Sequence, residues 1–391
     1  MKTLFKISFI QSAKGKYFLV LSLPVLFFVG CKVHYDPKIK NSNAHYLVVE
    51  GFINANGISN FALSRTRNIT SGDTAAYIFE TKARVQIEDN SNNVYPLTEN
   101  SDGNYAASYF LNPASKYRLH IFTSDNKEYA SDFVECKQSP PIQILNWELN
   151  QGSVWINVNT GDPANNTHYY RWSYSETWEF HSQYFSNLKY YPPDTAVIPR
   201  IIPVYVCYQN RNSNNIIIAS SAKLQQDVID KKTIEMIPDH DTRISVLYSI
   251  LVTQYALDST GYNYWNAMKT NTENIGSIFG SQPNQTPGNI HNVNDNSEEV
   301  IGYIGAGTFQ QQRLFISNGS LPSGWNQVPN CTEYEVPNIK DSISSYFAFK
   351  GFIPYLKDST PDGSVKGYFS ASGLCVDCTL TGSPVKPSFW P

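Results

Sequence analysis

Glu176 and Glu179 lie in an aromatic stretch, and a pair of carboxylates is what glycoside hydrolysis requires. Three residues apart on a strand, however, they point to opposite faces and cannot flank one substrate. Pro238-Asp239-His240-Asp241 sets an acid on either side of an imidazole, a pattern able to raise its pKa or support a metal. An exposed turn is the preferred reading of this segment. Asn292-Val293-Asn294-Asp295-Asn296-Ser297-Glu298-Glu299 crowds oxygen donors into one segment, and hard oxygen suits Ca²⁺. The glycine that an EF-hand turn needs is missing, which favours a solvated loop. Gly302-Tyr303-Ile304-Gly305-Ala306-Gly307 lacks the dinucleotide fingerprint and reads as a bent strand. His291 reads as a structural hydrogen-bonding residue. The chain has no H-E-x-x-H zinc helix, no G-x-S-x-G elbow and no Walker loop. No catalytic residue, metal or cofactor is therefore assigned, and an unrecognised hydrolase with long-range partners is the lesser alternative.

The thiols carry more information. Residues 1–30 hold Lys2, Lys6, Lys14 and Lys16 with no acid, and Tyr17 to Gly30 is apolar. That is the shape of a secretory signal, and the run is short of the ~20 residues of a spanning helix. It ends Phe28-Val29-Gly30-Cys31, which looks like the cleavage and acylation site of a bacterial lipoprotein with Phe28 in place of the usual Leu. Cys31 is the expected lipidation site, and acyl chains would anchor the protein to a membrane without spanning it. Residues 31–45 then form a polar tether. Removing residues 1–30 leaves 26 basic against 33 acidic side chains, about −7, so the body has no electrostatic attraction to an anionic membrane. Lipidation of Cys31 leaves five cysteines. The preferred arrangement pairs Cys207 and Cys331 with Cys375 and Cys378, connectivity open, and leaves Cys136 as the odd thiol. Cys375-Val376-Asp377-Cys378 has redox-motif spacing but sits in a Gly/Pro-rich tail rather than a βαβ unit.

These groups need elements to position them, and the pattern is mostly β. Of 391 residues, 41% are hydrophobic, 14% aromatic and only 16% charged, which excludes a disordered polyelectrolyte. The near-neutral balance argues against a nucleic-acid partner. Val85 and Ile87 alternate with Arg84, Gln86 and Glu88; Tyr117, Leu119 and Ile121 repeat the pattern. Residues 46–138 are expected to form an immunoglobulin-like β-sandwich of about seven strands. Ser139-Pro140-Pro141 marks a joint. Residues 139–391 are expected to be a larger β-rich domain with one or two helices. One helix runs from Ser259 to about Ile275, capped by Asp258 and stopped at Gly276. Residues 182–200 and 280–297 read as loops, and Tyr346–Pro354 as a strand. Trp172, Tyr174 and Trp178 share a strand face suited to core packing. Tyr184, Phe185, Tyr190 and Tyr191 lie in the following loop, where flat rings could stack on a glycan or meet a partner.

Several segments are familiar together: Leu47-Val48-Val49-Glu50-Gly51, Leu63-Ser64-Arg65-Thr66, Tyr170-Arg171-Trp172 to Glu179-Phe180, and Ser249 to Leu257. Asn271-Thr272-Glu273-Asn274, Pro287 to Val293, Cys375 to Cys378 and Lys386 to Trp390 complete the set. In this combination the chain resembles a Bacteroidota lipoprotein family, domain of unknown function 4249, over essentially all of the mature chain. The resemblance implies an outer-membrane lipoprotein. Such proteins are commonly encoded beside TonB-dependent receptors, so it also implies a non-catalytic accessory or substrate-capture role in uptake. It carries no enzymatic activity and no site residues. A stand-alone glycan- or peptide-binding lipoprotein is the alternative. Only one acid, Asp36, closely follows Cys31, a weak surface-export signal that leaves both sides of the outer membrane open. Exported proteins of that phylum can bear O-glycans at Asp-Ser/Thr motifs, which here implies Thr74, Thr195, Ser259, Ser342 and Ser359.

Overall fold

The computed structural model describes residues 45–67, 78–273, 287–325 and 330–391. Cys31, Thr74, the signal segment, most of the tether and the Gly276 helix stop lie outside the described residues.

Alternating apolar residues build the first sandwich. One sheet contains Leu47–Asn54, Asn56–Arg65, Thr98–Ser101 and Asn104–Phe110, all antiparallel neighbours. The other contains Arg84–Asp89, Lys116–Phe122, Glu128–Ser131 and Val134–Lys137. Leu47, Val49, Phe61 and Leu63 of the first meet Val85, Ile87, Tyr117, Leu119 and Ile121 of the second in one core. The period of two thus buries one face of each strand.

The chain returns to this sandwich from far downstream. Ile290–Asn292, inside the stretch expected to be loop, pairs antiparallel with Glu128–Ser131. Gly305–Gly307 runs parallel to both Leu47–Asn54 and Val134–Lys137, and so joins the two sheets. The strands grouped here therefore extend beyond 46–138. Glycine is required for the approach: a Cβ on Gly302 would lie 2.2 Å from the Val49 carbonyl oxygen, and one on Gly307 2.0 Å from that of Lys137.

Beyond Ser139-Pro140-Pro141 a second sandwich forms. Ile142–Asn150, Ser153–Thr160 and Ile229–Pro238 make a three-stranded sheet. It packs on Val206–Asn212, Tyr169–His181, Leu247–Leu257 and Phe309–Ser317. Tyr170, Trp172, Tyr174 and Trp178 point into this core, as their spacing predicts. The helix spans Ser259–Glu273, and Asp258 Oδ1 accepts from the Gly261 N–H at 2.6 Å, an N-cap.

The C-terminal part adds a small sheet of Tyr334–Pro337, Val365–Ser372 and Phe352–Ser359. Two expectations change here. Residues 182–200 contain a hairpin, Leu188–Tyr191 with Ala196–Pro199, because Leu188 is drawn into the core of Val336, Ile343, Phe347 and Tyr368. Ser344–Phe349 forms a π-helical turn, continuing Lys340–Ile343, and the strand starts only at Phe352. Ile343 and Phe347, one turn apart on this helical segment, both enter the core that holds Val336 and Tyr368. Disulfides Cys207–Cys378 and Cys331–Cys375 fasten this part. The final residues fold back: Trp390 packs on Tyr208 and Phe315, and its Nε1 donates to Glu179 at 3.0 Å. The described residues from Tyr46 to Pro391 form one compact unit.

Candidate functional site: an aromatic groove with an unpaired guanidinium

Strand register sets three side chains in a row on the outer face of the second sandwich. Arg171 lies directly opposite Tyr255, and Tyr255 directly opposite Phe309. Neighbouring strands lie about 5 Å apart, so the three form a continuous strip. The helix Ser259–Glu273 covers one end, and the Arg171 guanidinium lies 3.8 Å from the centre of the Trp265 ring and 5.4 Å from that of Tyr255. Facing this strip is the outer face of the first sandwich, with Val48, Glu50, Phe52 and Asn60. Phe52 meets Tyr255 edge-on at 5.1 Å, and Tyr264 stacks on Tyr303 at 5.2 Å. Between the walls is a groove of about 550 Å³.

The electrostatics of this groove are unusual for a structural arginine. Among the described residues Arg171 makes no ion pair or side-chain hydrogen bond. Burial pulls its pKa below the ordinary value, partly opposed by Tyr255 and by the charge of Glu50. Glu50 is exposed and near enough to be felt, yet it forms no ion pair with Arg171. The groove thus presents a cation held over an aromatic ring, an anion on the opposing wall, and apolar surface between them.

Other clusters of charge are occupied by the protein itself. Glu176, fully buried, accepts from Arg243 at 2.7 Å, Arg211 at 2.7 Å and Tyr248 Oη at 2.6 Å. Burial works against the Arg243 charge, but Asp241, Glu235 and Glu176 outweigh it and raise its pKa. The network joins strands of both sheets and leaves no free carboxylate for proton transfer. Glu179 lies on the opposite strand face, bound by His181 and Trp390. His168 Nδ1 lies 3.2 Å from Ser221 Oγ, but Ser221 is buried and donates to Asp227, and among the described residues no acid is hydrogen-bonded to the imidazole. The Glu298 carboxylate binds Lys127 at 2.8 Å and Tyr129 Oη at 2.7 Å, and Asn292 Oδ1 accepts from two backbone N–H groups. The oxygens of that loop thus turn onto the chain. Asp241 binds Arg243, while His240 is exposed. His291 is also exposed and lies 3.6 Å from Asp132. Among the described residues no group of three or more His, Cys, Asp or Glu is placed to hold a metal.

The residues singled out by sequence are dispersed. Tyr184 stacks on Tyr355 at 4.3 Å and Tyr190 packs near Phe347, whereas Phe185 and Tyr191 are exposed. None of the four lines the groove. Ser259 is exposed at the helix start, Ser359 is exposed at a strand end, and Thr195 and Ser342 are partly exposed. Cys136 is a partly buried free thiol whose pKa burial raises to about 11, which disfavours the nucleophilic thiolate. Sequence reading missed Arg171 and Glu50. Their signal was faint: charged residues at the outward positions of strands whose alternate positions are apolar.

A search of curated proteins finds no match. Among solved structures the chain is similar to the FN1–FN3 domains of chicken CNTN1, with 10% identity and a TM-score of 0.17. That likeness covers 54% of this chain and 62% of that one, and carries no argument. The model of a family described as a domain of unknown function, DUF4249, matches residues 32–313. Glu50, Arg171 and Tyr255 fall inside the match; the tail segments Cys375–Cys378 and Lys386–Trp390 lie beyond it. With the match spanning more than half of its length, the chain belongs to the DUF4249 family.

Proposed function

We propose that this protein is a non-catalytic, lipid-anchored component of the outer membrane that captures a small ligand for a TonB-dependent receptor. The observation that carries the capture role is the groove between the two sandwiches, with its aromatic walls and unpaired guanidinium. Its volume is in the range of small-molecule sites, roughly 300–1,000 Å³. Anchoring follows from Cys31 after a short apolar run, and no described helix is long and apolar enough to cross a membrane. The clusters that might have suggested catalysis are closed by their own salt bridges and hydrogen bonds.

The test is affinity capture of the tagged full-length protein from outer membrane solubilised in mild detergent, with mass spectrometry of what remains bound. Stoichiometric recovery of one TonB-dependent receptor is expected. A Cys31→Ala variant should leave the membrane fraction. Recovery of the lipoprotein alone, under conditions that keep known complexes intact, refutes the receptor partnership. The groove is made by this chain alone, which favours as second reading a glycan- or peptide-binding lipoprotein acting without a receptor.

A further inference from the structure

We propose that the groove binds a short zwitterionic peptide, its carboxylate on Arg171, its ammonium toward Glu50 and an apolar side chain between the aromatic walls. This rests on reading the groove as a capture site and names the ligand class.

The argument starts from the guanidinium. The Arg171 guanidinium lies over the Trp265 ring, 3.8 Å from its centre, and carries its N–H donors in a planar fork. No carboxylate or carbonyl of the described chain accepts from them. A carboxylate accepting two parallel N–H bonds matches that fork, and the interaction strengthens where water is scarce. A second anchor lies across the groove. Glu50 follows Val48 and precedes Phe52 on one strand face, so it presents its charge to the opening. A ligand bearing only an anion would leave Glu50 repelling it; a zwitterion satisfies both ends. Between these charges Phe52, Tyr255, Phe309 and Trp265 supply flat apolar contact. An acidic glycan would use Arg171 and the rings but finds no partner for Glu50.

The experiment is calorimetric titration of the full-length protein in detergent with the tripeptide phenylalanyl-alanyl-phenylalanine, its C-terminal amide, its N-acetyl form and a galacturonate trimer. The free tripeptide should bind, and the amide should bind at least about tenfold more weakly, the loss expected for a charge-assisted hydrogen-bond pair. Arg171→Gln should abolish the difference between acid and amide. Glu50→Gln should abolish the difference between the free and acetylated amine. Should Arg171→Gln fail to fold, the amide comparison on the unaltered protein and the exposed Glu50→Gln variant still decide. Absence of tripeptide binding at millimolar concentration, or equal affinity for all three peptides, overturns the proposal. Arg171-dependent binding of the galacturonate trimer without peptide binding overturns it in favour of an acidic glycan. Recovery of a receptor without peptide binding refutes this ligand alone; peptide binding without a receptor refutes only the partnership.

Discussion

Arg243→Met and Glu176→Gln should destabilise the protein by different amounts, and the order follows from the charges left behind. The network holds three carboxylates, Glu176, Glu235 and Asp241, against two guanidiniums, Arg211 and Arg243. Glu176→Gln removes one negative charge from the buried centre and leaves two of each sign. Arg243 keeps Glu235 at 2.9 Å and Asp241 at 2.8 Å, and the Arg211 side chain, 50% exposed, can return to water. The glutamine still accepts hydrogen bonds, so the cost should be about 2 kcal/mol. Arg243→Met leaves three carboxylates with only the half-exposed Arg211. Glu176, with no exposed surface, then loses its principal buried counter-charge. Breaking a buried pair in this way costs about 3–5 kcal/mol. Equilibrium unfolding in urea, followed by tryptophan fluorescence, reads both, because Trp172 and Trp178 lie in the same core. The double variant should lose less than the sum of the single ones. An Arg243→Met cost at or below that of Glu176→Gln, or both within about 0.5 kcal/mol of the unaltered protein, would show that the network is not the buried charge lock described.

Three other predictions concern different parts of the fold. Non-reducing digestion should release Cys207 joined to Cys378 and Cys331 joined to Cys375, with Cys136 alkylated only slowly; a Cys375–Cys378 link would contradict the topology. Burial pushes the Glu88 carboxyl up, but hydrogen bonds from His120, Arg118 and Gln86 outweigh it and hold the pKa down at about 2, against 4.5 ordinarily. Its stabilising contribution is therefore present above about pH 4.5 and lost as pH falls toward 2, and Glu88→Gln should flatten the stability–pH curve over that window. A curve unchanged by the substitution would mean that Glu88 is not responsible. Gly302→Ala should cost about 3 kcal/mol, because its Cβ meets backbone rather than a movable side chain. Gly324→Ala, also at positive φ but with open space around it, should cost only about 1 kcal/mol; equal costs in denaturant melts would remove close approach as the cause.

Local pattern was enough for much of the fold. Alternation at Val85 and Ile87 and at Tyr117, Leu119 and Ile121 is a property of adjacent residues, and each of those side chains is buried as expected. Asp258 announced the helix start because capping is a contact over three residues. The four cysteines of the disulfides were recognisable as a set from their number and the signal-like pattern of the first thirty residues, but not their connectivity, which depends on where residues 171 and 44 positions apart meet. The same limit hid the groove. Arg171 and Glu50 are unremarkable outward positions on two strands until the return of Gly305–Gly307 to the first sandwich and the packing of Phe52 on Tyr255 bring the walls together. Glu176, an apparent break in an apolar face, is explained only by Arg243, Arg211 and Tyr248 arriving from other strands and a turn. Residue periodicity dictates which face of an element is buried. Which elements share that burial, and which charges stay unpaired at their junction, is decided by long-range packing, whose geometry no local window contains.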